Sequence, residues 1–82
     1  MGRKSIHTPA QVKLQSLLKQ LRTEADIRQE QLAAKLKRPQ SFVSKYESGE
    51  RRLDIIELRD VCAALGMSLQ EFVSEFERRL NK

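Results

Sequence analysis

The sequence predicts an all-α fold, a compact domain of five short helices. Three observations support this: apolar residues recur at helical spacing, three helix starts have the pattern of a capping box, and 82 residues contain only three Gly and two Pro. Hydrophobic residues at 39% and charged residues at 33% give the balance of a chain that folds rather than a disordered tail.

Residues 1–7 read as a flexible basic tail, and residues 8–82 as the folded domain. The first helix is expected over 9–25. Thr8 is its N-cap, Pro9 occupies the first helical position, and Gln11 stands where a capping box needs it. Leu14, Leu17, Leu18, Leu21 and Ala25 then fall within an arc of about 80°. A break at Ala25, Asp26 and Ile27 precedes a second helix over 29–36, with Leu32, Ala33 and Leu36 on one face. Lys37, Arg38 and Pro39 interrupt the pattern, since proline cannot continue a helix but can begin one. The third helix is expected over 39–47, ending at Gly49, and so short a connection makes the two helices turn sharply against each other. The fourth, 54–65, opens on Asp54 with Glu57 reaching back and Leu53 and Leu58 as a hydrophobic staple; it closes at Gly66. Its buried stripe reads Ile55, Leu58, Val61, Cys62 and Leu65. The fifth, 68–80, repeats the opening with Ser68, Glu71, Met67 and Phe72.

Several function classes drop out. A chain this short has little room for an enclosed catalytic cleft. It shows no Cys-His or Ser-His constellation, no metal-ligand spacing and no glycine-rich phosphate loop, so neither an enzyme nor a cofactor or metal is expected. His7, the one histidine, stands in the tail without a second ligand type. The single cysteine, Cys62, can form no internal disulfide and reads as an inert core thiol. No apolar run follows the basic start and no stretch is long enough to span a bilayer, so the expected location is the cytoplasm.

The net charge of +5 is unevenly spread. Residues 1–52 carry 12 Lys/Arg against 5 Asp/Glu, and residues 53–82 carry 4 against 6. A basic front and a mildly acidic back suggest one surface for a polyanion and another for a protein. The third helix sharpens this. Val43, Tyr46 and Glu47 gather on one side, while the opposite arc carries Gln40, Ser41, Ser44 and Lys45, with Phe42 on its flank. Amide, hydroxyl and ammonium groups read base edges in a major groove: Gln pairs with adenine, Lys donates to guanine, and Ser serves either. No carboxylate stands on that arc to repel phosphate.

The run from Gln29 to Arg52, with Leu32-Ala33, a turn, then Gln40, Ser41, Val43, Ser44, Glu47 and Gly49, resembles the Cro/repressor, or XRE-type, helix-turn-helix family. The resemblance extends from about Leu14 to Phe72. It implies a lambda-repressor-like five-helix domain whose third helix enters the major groove, with Gln29 gripping a phosphate at the start of the second. It also implies that Gln40, Ser41, Ser44 and Lys45 read bases, that Arg51 and Arg52 contact the DNA backbone, and that Arg22 and Glu47 form an internal ion pair. Lys37 stands where the family usually has glycine, and Arg28 where a hydroxyl usually caps the second helix.

Other residues carry two readings. Phe42 either touches a thymine methyl or packs inside. Tyr46 either stacks on a base or, from its place on the apolar side, packs as core with its hydroxyl at the rim. Arg38, beside the turn, is placed for a phosphate; Arg3 and Lys4 either reach DNA or are solvated tail. Leu69, Phe72, Val73, Phe76 and Leu80 make a stripe along the whole fifth helix that either closes the domain or continues into a partner, and Ile56 lies off its own helix's stripe. Ile56, Phe76 and Leu80 are therefore the expected homodimer contacts. Twofold pairing would set two reading helices about 34 Å apart on a palindromic operator. The resulting expectation is a transcriptional regulator, a repressor or autoregulator of a bacterium or phage, that binds specific double-stranded DNA as a homodimer. The competing one is an antitoxin or protein-interaction module in which DNA binding is secondary.

Overall fold

The computed structural model describes residues 8–81; the expected basic tail, with Arg3, Lys4 and His7, lies outside them. Five helices form: α1 (Pro9–Glu24), α2 (Gln29–Leu36), α3 (Gln40–Ser48), α4 (Ile55–Ala64) and α5 (Leu69–Leu80). Their starts follow from the caps. The Thr8 hydroxyl accepts from the Gln11 N–H at 3.2 Å, and full capping boxes pair Asp54 with Glu57 and Ser68 with Glu71. Arg28 has no oxygen to offer α2, and the Gln31 side chain compensates by accepting the Arg28 N–H at 2.8 Å. Pro39 stands one residue outside α3, as its N-cap in extended conformation.

Four helices end by one device. A residue with positive φ follows the last turn, and the next N–H reaches five residues back: Ile27 to Arg22, Arg38 to Ala33, Glu50 to Lys45, Met67 to Cys62. Glycine fills the left-handed position after α3 and α4, but Asp26 (φ 59°) and Lys37 (φ 58°) fill it after α1 and α2.

The principal packing contacts run α1 to α3, α3 to α2, α2 to α4, α4 to α5 and α5 back to α1, a closed ring. Inside it lie Leu17, Leu18, Leu32, Ala33, Phe42, Val43, Tyr46, Val61, Cys62 and Phe72, so every helix contributes. Each large aliphatic or aromatic side chain buried here contributes about 1.5–3 kcal/mol. Three expectations need correction. Ile55 is 61% exposed, because the first residue of α4 precedes the turn that meets the core. Ala25 is exposed as the C-cap of α1 rather than part of its stripe. The Tyr46 hydroxyl is not at the rim but buried, with no hydrogen-bond partner among the described residues, and burial pushes its ionisation well above the ordinary tyrosine range.

One polar assembly penetrates the ring. Arg22 donates from Nε and Nη2 to the two carboxylate oxygens of Glu47 at 2.7 and 3.0 Å, and from Nη1 to the Ile27 carbonyl at 2.8 Å. Gln29 Nε2 adds a bond to Glu47 Oε1 at 2.9 Å. The two charged side chains are only 10% and 3% exposed, so the pairing suggested by the resemblance is present and largely buried.

Glu47→Ala leaves the Arg22 charge buried without its partner and is expected to cost about 3–5 kcal/mol, read as a fall in the urea midpoint. Lys37→Gly relieves a left-handed conformation that costs a side-chain-bearing residue about 1–2 kcal/mol. It is expected to raise the same midpoint, and a lower midpoint would count against strain at this turn.

Candidate nucleic-acid interface

The side of α3 that faces away from α1 and α2 carries the expected reading residues. Val43 and Tyr46 are buried at 0% and 2%, which fixes the rotation of the helix and turns Gln40, Ser41 and Lys45 fully outward, with Ser44 half-buried beside them. Among the described residues the serine hydroxyls make local bonds: Ser44 Oγ donates to the Ser41 carbonyl at 3.3 Å, and Ser48 Oγ lies 3.1 Å from the Lys45 carbonyl and 3.3 Å from the Glu50 carboxylate. The amide, hydroxyl and ammonium groups of Gln40, Ser41 and Lys45 thus lie on one continuous solvent-facing strip.

Arginines flank the strip at both ends, Arg38 before α3 and Arg51 and Arg52 after it. Arg38 and Arg51 are not isolated. Their Cζ atoms lie 4.3 and 4.8 Å from the Phe42 ring centroid, within cation–π distance. Arg51 forms a two-pronged fork to Glu57, Nη1 to Oε1 at 3.0 Å and Nη2 to Oε2 at 2.8 Å, while Arg38 Nη2 approaches Oε2 at 3.4 Å. Glu57 also accepts the Asp54 N–H at 3.0 Å, so the residue that completes the α4 cap also collects two guanidiniums. The Arg51 fork, then the backbone bond, hold its carboxyl near 2, far below the ordinary range.

Two expected site residues are placed differently. Phe42 is 7% exposed and meets Tyr46 edge-on at 5.5 Å, so it does not reach outward to a thymine. Its ring serves as the floor on which the two arginines rest. Gln29 turns its amide inward to Glu47, so one of its side-chain hydrogens joins α2 to α3 rather than pointing to solvent. Of the expected dimer contacts, Ile56 is 59% exposed. Phe76 and Leu80 are half-buried, and Phe76 stacks on Phe72 at 6.3 Å as part of the domain's own packing. Glu57 is the residue that sequence reasoning passed over; its position in a capping box was legible, but its contact with Arg38 and Arg51 depends on how the 49–54 loop folds.

Among the described residues no group of three His, Cys, Asp or Glu is arranged to hold a metal ion, and no helix is long and apolar enough to cross a membrane.

Comparison with known proteins gives a consistent picture. A helix-turn-helix family model matches residues 18–72. The control protein C.MunI of a Mycoplasma species is 36% identical over 62 residues, covering 74% of this chain and 84% of that one. An XRE-family like protein from Pseudomonas syringae pv. tomato superposes with a TM-score of 0.83 at 46% identity, covering 90% of each chain. The restriction-modification controller protein C.Esp1396I, solved as a tetramer in complex with its natural 35 base-pair operator, superposes at 0.84 with 25% identity over 93% of this chain and 100% of that one.

Glu57 lies far below its ordinary value of 4.5 when folded. Its pairing therefore stabilises the fold fully above that value and is lost as pH falls from there towards about 2. Urea midpoints are expected to decline across this window, and the advantage of the wild type over Glu57→Gln should narrow as the pH drops. A constant difference from pH 5 to pH 2 would show that the carboxylate contributes nothing through its charge.

Proposed function

The chain belongs to the XRE-type helix-turn-helix family, and from that premise we propose that it is a sequence-specific double-stranded DNA-binding transcriptional regulator that works by occupying an operator. The observation that carries the reading is the outward strip of α3, with Gln40, Ser41, Ser44 and Lys45 between arginines at either end. Its anchoring side chains are in the core, so the strip is displayed at a fixed orientation, as major-groove readout requires.

The residue roles follow from chemistry. Gln40 and Lys45 carry the directional donors and acceptors that distinguish adenine and guanine, and Ser41 and Ser44 supply short hydroxyls at the groove wall. Arg38, Arg51 and Arg52 neutralise phosphates and set the register. Gln29 contributes to phosphate binding through the start of α2 rather than by a free amide. The function is binding, with no reaction catalysed on the bound DNA, and its compartment is the bacterial cytoplasm, where the operator is. The chain acts as a homo-oligomer, at minimum a dimer, with Ile56 and Leu80 and the open edge of Phe76 as the contact between copies. The related controller protein that forms a tetramer on its operator supports both the DNA partner and the oligomer.

Selection of bound sites from random duplexes tests this directly, and a palindromic consensus is expected. Gln40→Ala and Lys45→Ala should relax base preference at their positions, each contact being worth about 1–3 kcal/mol. Arg51→Ala should weaken all duplexes alike. With about four phosphates met per subunit, log K should fall against log salt with a slope of about −3.6 per subunit. If no sequence were enriched, the reading would fail; if the Gln40 and Arg51 variants behaved identically, the division of roles would.

A further inference from the structure

We propose that Glu57 is a positioning residue of the DNA interface: its carboxylate holds Arg51, together with Arg38, against the Phe42 ring, so that Arg51 meets a phosphate already oriented. The inference rests on the DNA-binding reading above and adds a residue that touches no base or phosphate.

The geometry separates the buried end of the assembly from its exposed end. The Glu57 side chain is 15% exposed, whereas those of Arg51 and Arg38 are 37% and 43% exposed. The carboxylate lies beneath, and the guanidiniums face out. It is tied to the backbone as well, through the Asp54 N–H at 3.0 Å, so Arg51 is referenced to the rigid start of α4 across the loop that follows Gly49.

The use of the Arg51 donors is specific. Nη1 gives its hydrogens to Glu57 Oε1 and to the Arg52 carbonyl at 3.0 Å, and Nη2 gives one to Glu57 Oε2. Among the described residues, Nε–H and the second Nη2 hydrogen remain. These two lie along one edge of the planar guanidinium and form a second fork, of the shape that binds a phosphate through two parallel bonds. Glu57 thus occupies one edge of the guanidinium and presents the other. It also offsets the mutual repulsion of two cations stacked on one ring, leaving the trio with a net charge of +1 in a fixed place.

The alternative role, a negative charge that merely opposes DNA, makes the opposite prediction. Removing it would tighten binding, because the chain would carry one more net positive charge. The test measures fluorescence anisotropy on a labelled selected duplex and on an unrelated duplex of equal length, with the wild type, Glu57→Gln, Arg51→Ala and the double variant. Gln can still accept the Asp54 N–H, so the α4 cap survives, and a thermal melt of each variant establishes that it is folded.

The expected result is that Glu57→Gln weakens both duplexes by about three- to tenfold, the cost of ordering a freed arginine on binding. The preference between duplexes should be unchanged, and most of the loss should vanish in the Arg51→Ala background. Equal or tighter binding by Glu57→Gln would overturn the proposal, and so would an undiminished loss without Arg51, which would mean that Glu57 acts on the fold. A wild-type protein that bound neither duplex would overturn the DNA-binding reading along with it.

Discussion

The buried fork between Arg22 and Glu47 is the constraint on which the arrangement of this domain depends. Glu47 is on α3, Arg22 is near the end of α1, and Gln29, which shares the same carboxylate, begins α2. Arg22 also holds the Ile27 carbonyl, and its own carbonyl accepts the Ile27 N–H at the end of α1. One carboxylate and one guanidinium therefore fix three helices and the corner between two of them. Apolar packing alone tolerates sliding, because leucine meets leucine at many offsets, whereas a two-pronged charged fork inside a core has one satisfactory geometry. Hydrophobic burial supplies most of the folding free energy; the fork selects where α3 comes to rest.

A second carboxylate does similar work at the opposite side of α3. Glu47 fixes the face that must be inside, and Glu57 gathers the cations that border the outside. Between them Phe42 and Tyr46, packed edge to face, join the two assemblies. The helix is thus supported by ionic contacts at its C-terminal half and by an aromatic floor under the flanking arginines. Among the described residues, neither assembly uses the side chain of Gln40, Ser41 or Lys45.

The elements were legible in the sequence because their signals are local. A threonine before a proline, Asp54 three residues before Glu57, and Ser68 three residues before Glu71 fix helix starts without reference to the rest of the chain. The outward placement of Gln40, Ser41 and Lys45 was legible too, since Val43 and Tyr46 set the inward direction by period alone. What failed depended on distance. Ile55 matched the apolar stripe of α4 by angle, but angle does not say that the first turn overshoots the core. Phe42 lies at the boundary of two faces; it packs on Tyr46 inside, and the arginines over its ring stand four residues before and nine after it. Arg22 and Glu47, 25 residues apart, carry no local signal of their pairing, which came from the resemblance to a family rather than from the residues.

The closed ring of helices leaves α3 with one face committed to architecture and one committed to nothing else. Substitutions at Gln40, Ser41 or Lys45 change no core volume, break no cap and disturb neither ionic assembly. On the proposed division of roles, a lineage can acquire a new target sequence by single steps at these positions, each passing through a folded protein, without compensating changes elsewhere. Scaffold and address are then separately heritable, and a duplicated copy of this chain would diverge in what it recognises long before it diverges in shape.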